Sequence, residues 1–188
     1  MTTTFRRPCF ATALWRLLLP LVLLLAGGPA RAVLPIQHWV QPSGARVYFV
    51  ESPSIPILDV QVDFDAGLRR DPEGKTGLAA RMAGMLDNGI APRDARRGGP
   101  AGPYDGAMDE NAIGEAWADL GASFGVGAGD DRLAASLRTL TDPAVLPRAI
   151  ALAARQLGEP SFPADLWTRD RERLIAALRE SLTRPATV

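Results

Sequence analysis

The chain is nearly without the side chains that most hydrolytic and metal-dependent enzymes rely on. Its 188 residues contain one cysteine, Cys9, and one histidine, His38. A disulfide framework or a cysteine–zinc site needs several thiols, so both are excluded. One histidine cannot supply a standard zinc site, and Ser-His-Asp hydrolysis would have to use His38, which sits beside Trp39 in a strand-like segment and reads as structural. Charge of one sign is also missing. Acidic and basic side chains number 21 each and are scattered, so no field recruits nucleic acid or an anionic membrane.

Long apolar runs are missing as well. The longest, Leu17 to Leu25, is roughly ten residues, half of the ~20 a membrane span requires. It follows Arg6 and Arg7 and precedes Ala30-Arg31-Ala32, the order of basic start, apolar stretch and small-x-small site found in secretory leaders. Residues 1–32 are therefore expected to be a signal peptide cleaved after Ala32. Cys9 would leave with it. The mature part, 33–188, is long enough for one domain with a core, and a periplasmic or secreted location follows, with no membrane contact after cleavage.

What the mature part holds is a sequence of short periodic elements. Ile36 to Val40 and Ala45 to Glu51 flank the turn-forming Gln41-Pro42-Ser43-Gly44 and are expected to form a hairpin. From Pro56 to Ala66, Leu58, Val60, Val62 and Phe64 alternate with Asp59, Gln61, Asp63 and Asp65, the pattern of a strand with one wet face. Gly77 to Gly89 places Leu78, Met82, Met85 and Leu86 at helical spacing. The stretch 90–106 is crowded with proline, glycine and arginine and is expected to be a flexible surface insertion. Asp109 should cap a second helix that Gly121 ends. Two strands around Gly129-Asp130-Asp131 and two helices, from about Pro143 to Leu157 and Ala164 to Leu182, complete the chain. This order predicts an α+β domain, helices packed on one face of a largely antiparallel sheet. Gly125-Val126-Gly127-Ala128-Gly129 lacks the Lys-Ser/Thr of a phosphate loop and is expected to mark close backbone approach or twist in a strand. Trp39, Trp117 and Trp167 are spread among elements as core or interface anchors.

Four segments in this order resemble the N-terminal half of pitrilysin/insulinase metallopeptidases: VQVDFDAGLRRDPEGKTGLA, the LDNG that follows, DENAIGEAWADLGASFGVGAGDDRLAASLRTL, and PSFPADLWTRDRERLIAALRESLTRP. The resemblance implies a partial domain of the LuxS/mitochondrial-processing-peptidase-like fold over 33–188. In that family the first helix carries H-x-x-E-H, two zinc-binding histidines and a glutamate that activates water. The same frame puts Ala80, Ala83 and Gly84 at those positions, and none offers a lone pair. The family's third ligand falls on about Asp170, a weak metal candidate that reads instead as one member of a solvated Arg169-Asp170-Arg171-Glu172-Arg173 face. A supporting glutamate falls on Ala177. No catalytic, metal or cofactor residue is thus expected in this chain.

Many members of the family work as pairs, one subunit keeping the zinc motif and the other, having lost it, closing a substrate chamber. The resemblance therefore implies a non-catalytic peptidase homologue that shapes a peptide-binding chamber, with a zinc-bearing homologous subunit as partner and zinc in that partner only. A zinc metallopeptidase with atypical ligands and a stand-alone module binding extended peptides are the alternatives. A gene remnant that does not fold stands behind all of them.

Overall fold

A computed structural model of the chain describes residues 35–94, 96 and 101–183. The expected leader, with Cys9 and the site after Ala32, lies outside the described residues. The chain divides into two units, Met1–Pro53 and Ser54–Val188.

In the first unit β1 (Ile36–Val40) pairs antiparallel with β2 (Arg46–Val50). The amide of Gln41 donates to the Ala45 carbonyl and that of Gly44 to the Gln41 carbonyl, both at 2.8 Å. Gly44 takes φ 87° there, a conformation that costs glycine little. His38 sits directly opposite Tyr48, with the two rings stacked at 6.4 Å.

In the second unit β3 (Ile57–Phe64), β7 (Leu133–Leu140) and β6 (Ser123–Ala128) form an antiparallel sheet with β7 in the middle. Strand alternation sorts its faces. Val60, Leu137 and Phe124 line up across the three strands, and they meet the buried Ile113, Trp117 and Leu120 of α2 (Glu110–Leu120) and Ala149, Leu152 and Ala153 of α3 (Leu146–Gly158). The opposite face pairs Asp59 with Arg138 at 2.6 Å and Asp63 with Arg132 at 2.9 Å. These pairs are exposed and stabilise the fold little. The architecture is the expected α+β one, with helices against one face of an antiparallel sheet.

Capping follows the sequence closely. Asp109 accepts a hydrogen bond from the Ala112 amide at 2.8 Å, and Gly121 ends α2 with φ 56°. Gly67 is required for a different reason: a Cβ there would lie 2.3 Å from the Asp130 carbonyl oxygen, so the turn before α1 (Leu78–Met85) can press against the β6–β7 turn only without a side chain.

The stretch after α1 departs from expectation at its two ends. Gly89–Ile90 forms the short strand β4, paired antiparallel with β5 (Met108–Asp109), and Ile90 also bridges to Pro160. Ile90 is not a surface residue but part of the core, 1% exposed. The guanidinium of Arg155, on α3, donates to the carbonyls of Ala91 and Tyr104, and Arg93 pairs with Asp105 at 3.1 Å. Both ends are thus tied to the body of the unit by contacts that pair residues far apart in sequence.

Candidate functional site

The candidate site is where α1 meets α4 (Ala164–Ser181). The carboxylate of Asp71 begins α1 by accepting from the amides of Gly77 at 2.7 Å and Ala79 at 2.9 Å, which satisfies amides that no helical carbonyl can reach. Helical spacing then puts Leu78, Met82 and Met85 on one face, where with Phe162, Ala164 and Trp167 they line an apolar cavity of about 360 Å³. Ala80 and Gly84 are exposed and Ala83 is buried. Ala177, two turns beyond Asp170 on α4, is exposed as well.

Asp170 does not lie on a solvated face. Its side chain is 15% exposed, and one oxygen accepts from Arg81 Nη2 and Asn88 Nδ2, each at 3.2 Å, while the other accepts from Arg169 Nε at 2.9 Å. Arg169 also reaches Glu110 on α2 at 3.1 Å. The hydrogen bond from Arg169, then that from Asn88, and the charges of Arg169 and Arg81 hold the Asp170 carboxyl below its ordinary value, against desolvation acting the other way. The partners Arg81 and Asn88 are distant in sequence and so invisible along α4 itself. Arg171 and Glu172 do face solvent, but Asp170 turns toward α1.

The residues present do not fit a zinc ion. Alanine and glycine side chains donate nothing, and the one carboxylate in reach is committed to three cationic or amide donors. A Cβ built on the exposed Gly84 would lie 3.3 Å from Arg81 Nη2, a contact that a small shift of the arginine's flexible end relieves. Among the described residues no group of three histidine, cysteine, aspartate or glutamate side chains could hold a metal, and His38 belongs to the hairpin of the other unit.

Arg81 and Asn88 were not singled out from the sequence. Asn88 lies beyond the end of α1, so no helical spacing ties it to Arg81, and tertiary folding brings both to Asp170.

Beside the site runs β6. The helix α1 packs against it, and among the described strands β6 pairs on one side only, with β7. Of the two roles expected for its glycines, close backbone approach or twist, the first is not found at Gly125 and Gly127. Nothing lies within 4 Å of a Cβ placed on Gly125 or Gly127, and both present bare backbone on the sheet's wet face.

This geometry can be set beside known structures. The crystal structure of a peptidase M16 inactive domain from Pseudomonas fluorescens matches with a TM-score of 0.70 at 32% identity, over 82% of this chain and 34% of that one. The chain belongs to the pitrilysin/insulinase family. Two proteins share the fold at lower identity. A protease from Helicobacter pylori matches with a TM-score of 0.62 at 15% identity, over 82% of this chain and 33% of that one. The periplasmic protease PqqL from Escherichia coli matches with a TM-score of 0.62 at 14% identity, over 82% of this chain and 16% of that one. This family member thus spans about a third of the length of the first two structures. No sequence-family profile and no curated protein matches it. No helix among its described residues is long and apolar enough to cross a membrane.

Proposed function

We propose that this family member is a non-catalytic peptidase homologue that shapes a peptide-binding chamber together with a zinc-bearing homologous subunit. The observation that carries the reading is the state of the α1–α4 junction, where Ala80, Ala83 and Gly84 offer no donors and Asp170 is held by Arg81, Asn88 and Arg169. An extended peptide would pair with the open edge of β6, which gains main-chain hydrogen bonds without demanding a particular sequence. Zinc would reside in the partner alone. The leader-like residues 1–32 and the likeness to a periplasmic protease support a periplasmic location.

The test is reconstitution. The mature chain is mixed with a homologous subunit from the same host that keeps H-x-x-E-H, and association is followed by size-exclusion chromatography and cleavage by a fluorogenic peptide. The expected result is a stable complex whose zinc-dependent cleavage exceeds that of the zinc subunit alone. Chelator-sensitive cleavage by the lone chain would instead support a peptidase with atypical ligands, and tight peptide binding without any partner would support a stand-alone module.

A further inference from the structure

The helix α4 has no buried residue along its 18-residue length, yet it lies against α1. Two kinds of contact hold it there. One is the apolar cavity, whose α4 side is contributed by Ala164 and Trp167, with Trp167 still 38% exposed. The other is polar and centres on Asp170. Its carboxylate receives Arg81 and Asn88 from the α1 segment, and its neighbour Arg169 reaches Glu110 of α2. The side chains of Arg81 and Asp170 are only 22% and 15% exposed, a setting in which an ion pair is screened less than at the surface.

We infer that Arg81 is a resident cation: its guanidinium clasps α1 to α4 through Asp170, so this centre is held together without metal and its one candidate metal ligand is already engaged. The inference deepens the non-catalytic reading, on which it rests for the meaning of the site. Geometry carries it. The guanidinium donates to Asp170 at 3.2 Å, the carboxylate that a metal at this centre would also need. Arg81 Nε is buried with no hydrogen-bond partner among the described residues. Leaving that group unpaired is unfavourable, a cost that the contact of Nη2 with Asp170 has to offset.

The test has two arms, both on the chain alone, so a failed clasp and a failed partnership are told apart. In the first, amide hydrogen exchange compares the wild-type chain with R81M and D170N. Protection within 164–181 is expected to fall by about tenfold in each variant, with that of β7 and α3 unchanged as the internal control. Unchanged protection in α4 would overturn the clasp. In the second, zinc affinity is measured by calorimetry for A80H/A83E/G84H and for the same variant carrying R81M. The inference expects at least about tenfold tighter zinc once Arg81 is removed. Equal affinity with and without Arg81 would overturn the engagement of that ligand by Arg81.

Discussion

Trp117 donates its indole N–H to Gln156 Oε1 at 3.0 Å, and Gln156 in turn donates its amide to Asp87 Oδ1 at 2.6 Å. Trp117 is in α2 and Gln156 in α3, and Asp87 closes the segment that follows α1. One completely buried side chain, Gln156 at 0% exposure, therefore links three elements by using its acceptor on one side and its donor on the other. This explains why a polar residue is tolerated in the core, since a buried amide is unfavourable only when its partners are missing.

Gln156→Met keeps the volume and removes both hydrogen bonds, leaving the Trp117 N–H unpaired in the core. It is expected to destabilise the fold by about 2 kcal/mol. Adding Trp117→Phe to that variant should cost less than Trp117→Phe in the wild-type chain, because the orphaned donor goes with it. Urea unfolding of the four proteins reads the coupling, and strict additivity would show that the two side chains do not act together.

Asp87 should leave a signature in the pH dependence of stability. Partial burial against Gln156 pushes its carboxyl above the ordinary 3.8; the hydrogen bond from Gln156 works against this, and the charge of Glu110 adds to the rise. The folded chain therefore holds this proton more tightly than the unfolded chain does. The resulting stability is fully present below the unfolded value and is lost as pH rises through the folded one. Asp87→Asn cannot lose a proton, so relative to wild type it is expected to gain stability as pH rises from about 3 to about 7. Parallel pH curves for the two proteins would show that Asp87 is not the group responsible.

Arg155 offers a test of how the stretch after β4 is held. Its guanidinium reaches the carbonyls of Ala91 and Tyr104, one near each end of that stretch, and it lies within 3.9 Å of Asp105. Arg155→Met would leave these acceptors unpaired and is expected to destabilise by roughly 3 kcal/mol. Trypsin should then cut after Arg93 or Arg96 about tenfold faster than in wild type. Digestion at an unchanged rate would mean that the strands β4 and β5 hold the ends without it.

The split between what could be read in advance and what could not follows the range of the interactions. The alternation in β3 announced its wet face and the half-buried Leu58 and Val60 because strand side chains point to opposite sides every second residue, whereas Val62 and Phe64 on the same face stay exposed. Asp109 and Gly121 marked the ends of α2 because caps are made within a few residues. The strands β4 and β5 escaped notice because each is two residues long and is paired across a long stretch of chain, so neither has a period to detect.

The site divides along the same line. That α1 carries no metal donors is a property of residue identity at Ala80, Ala83 and Gly84, and no folding can add a lone pair to those side chains. What Asp170 does was decided only in three dimensions. Its neighbours along the chain are charged and solvated, but Arg81 is 89 positions away, and whether a carboxylate faces water or a guanidinium depends on how α4 is set down beside α1. Local chemistry and periodicity belong to the sequence by itself, whereas the pairing of distant charges belongs to the tertiary structure, because the energy of an ion pair depends on separation in space and on burial, and neither is written in the order of residues.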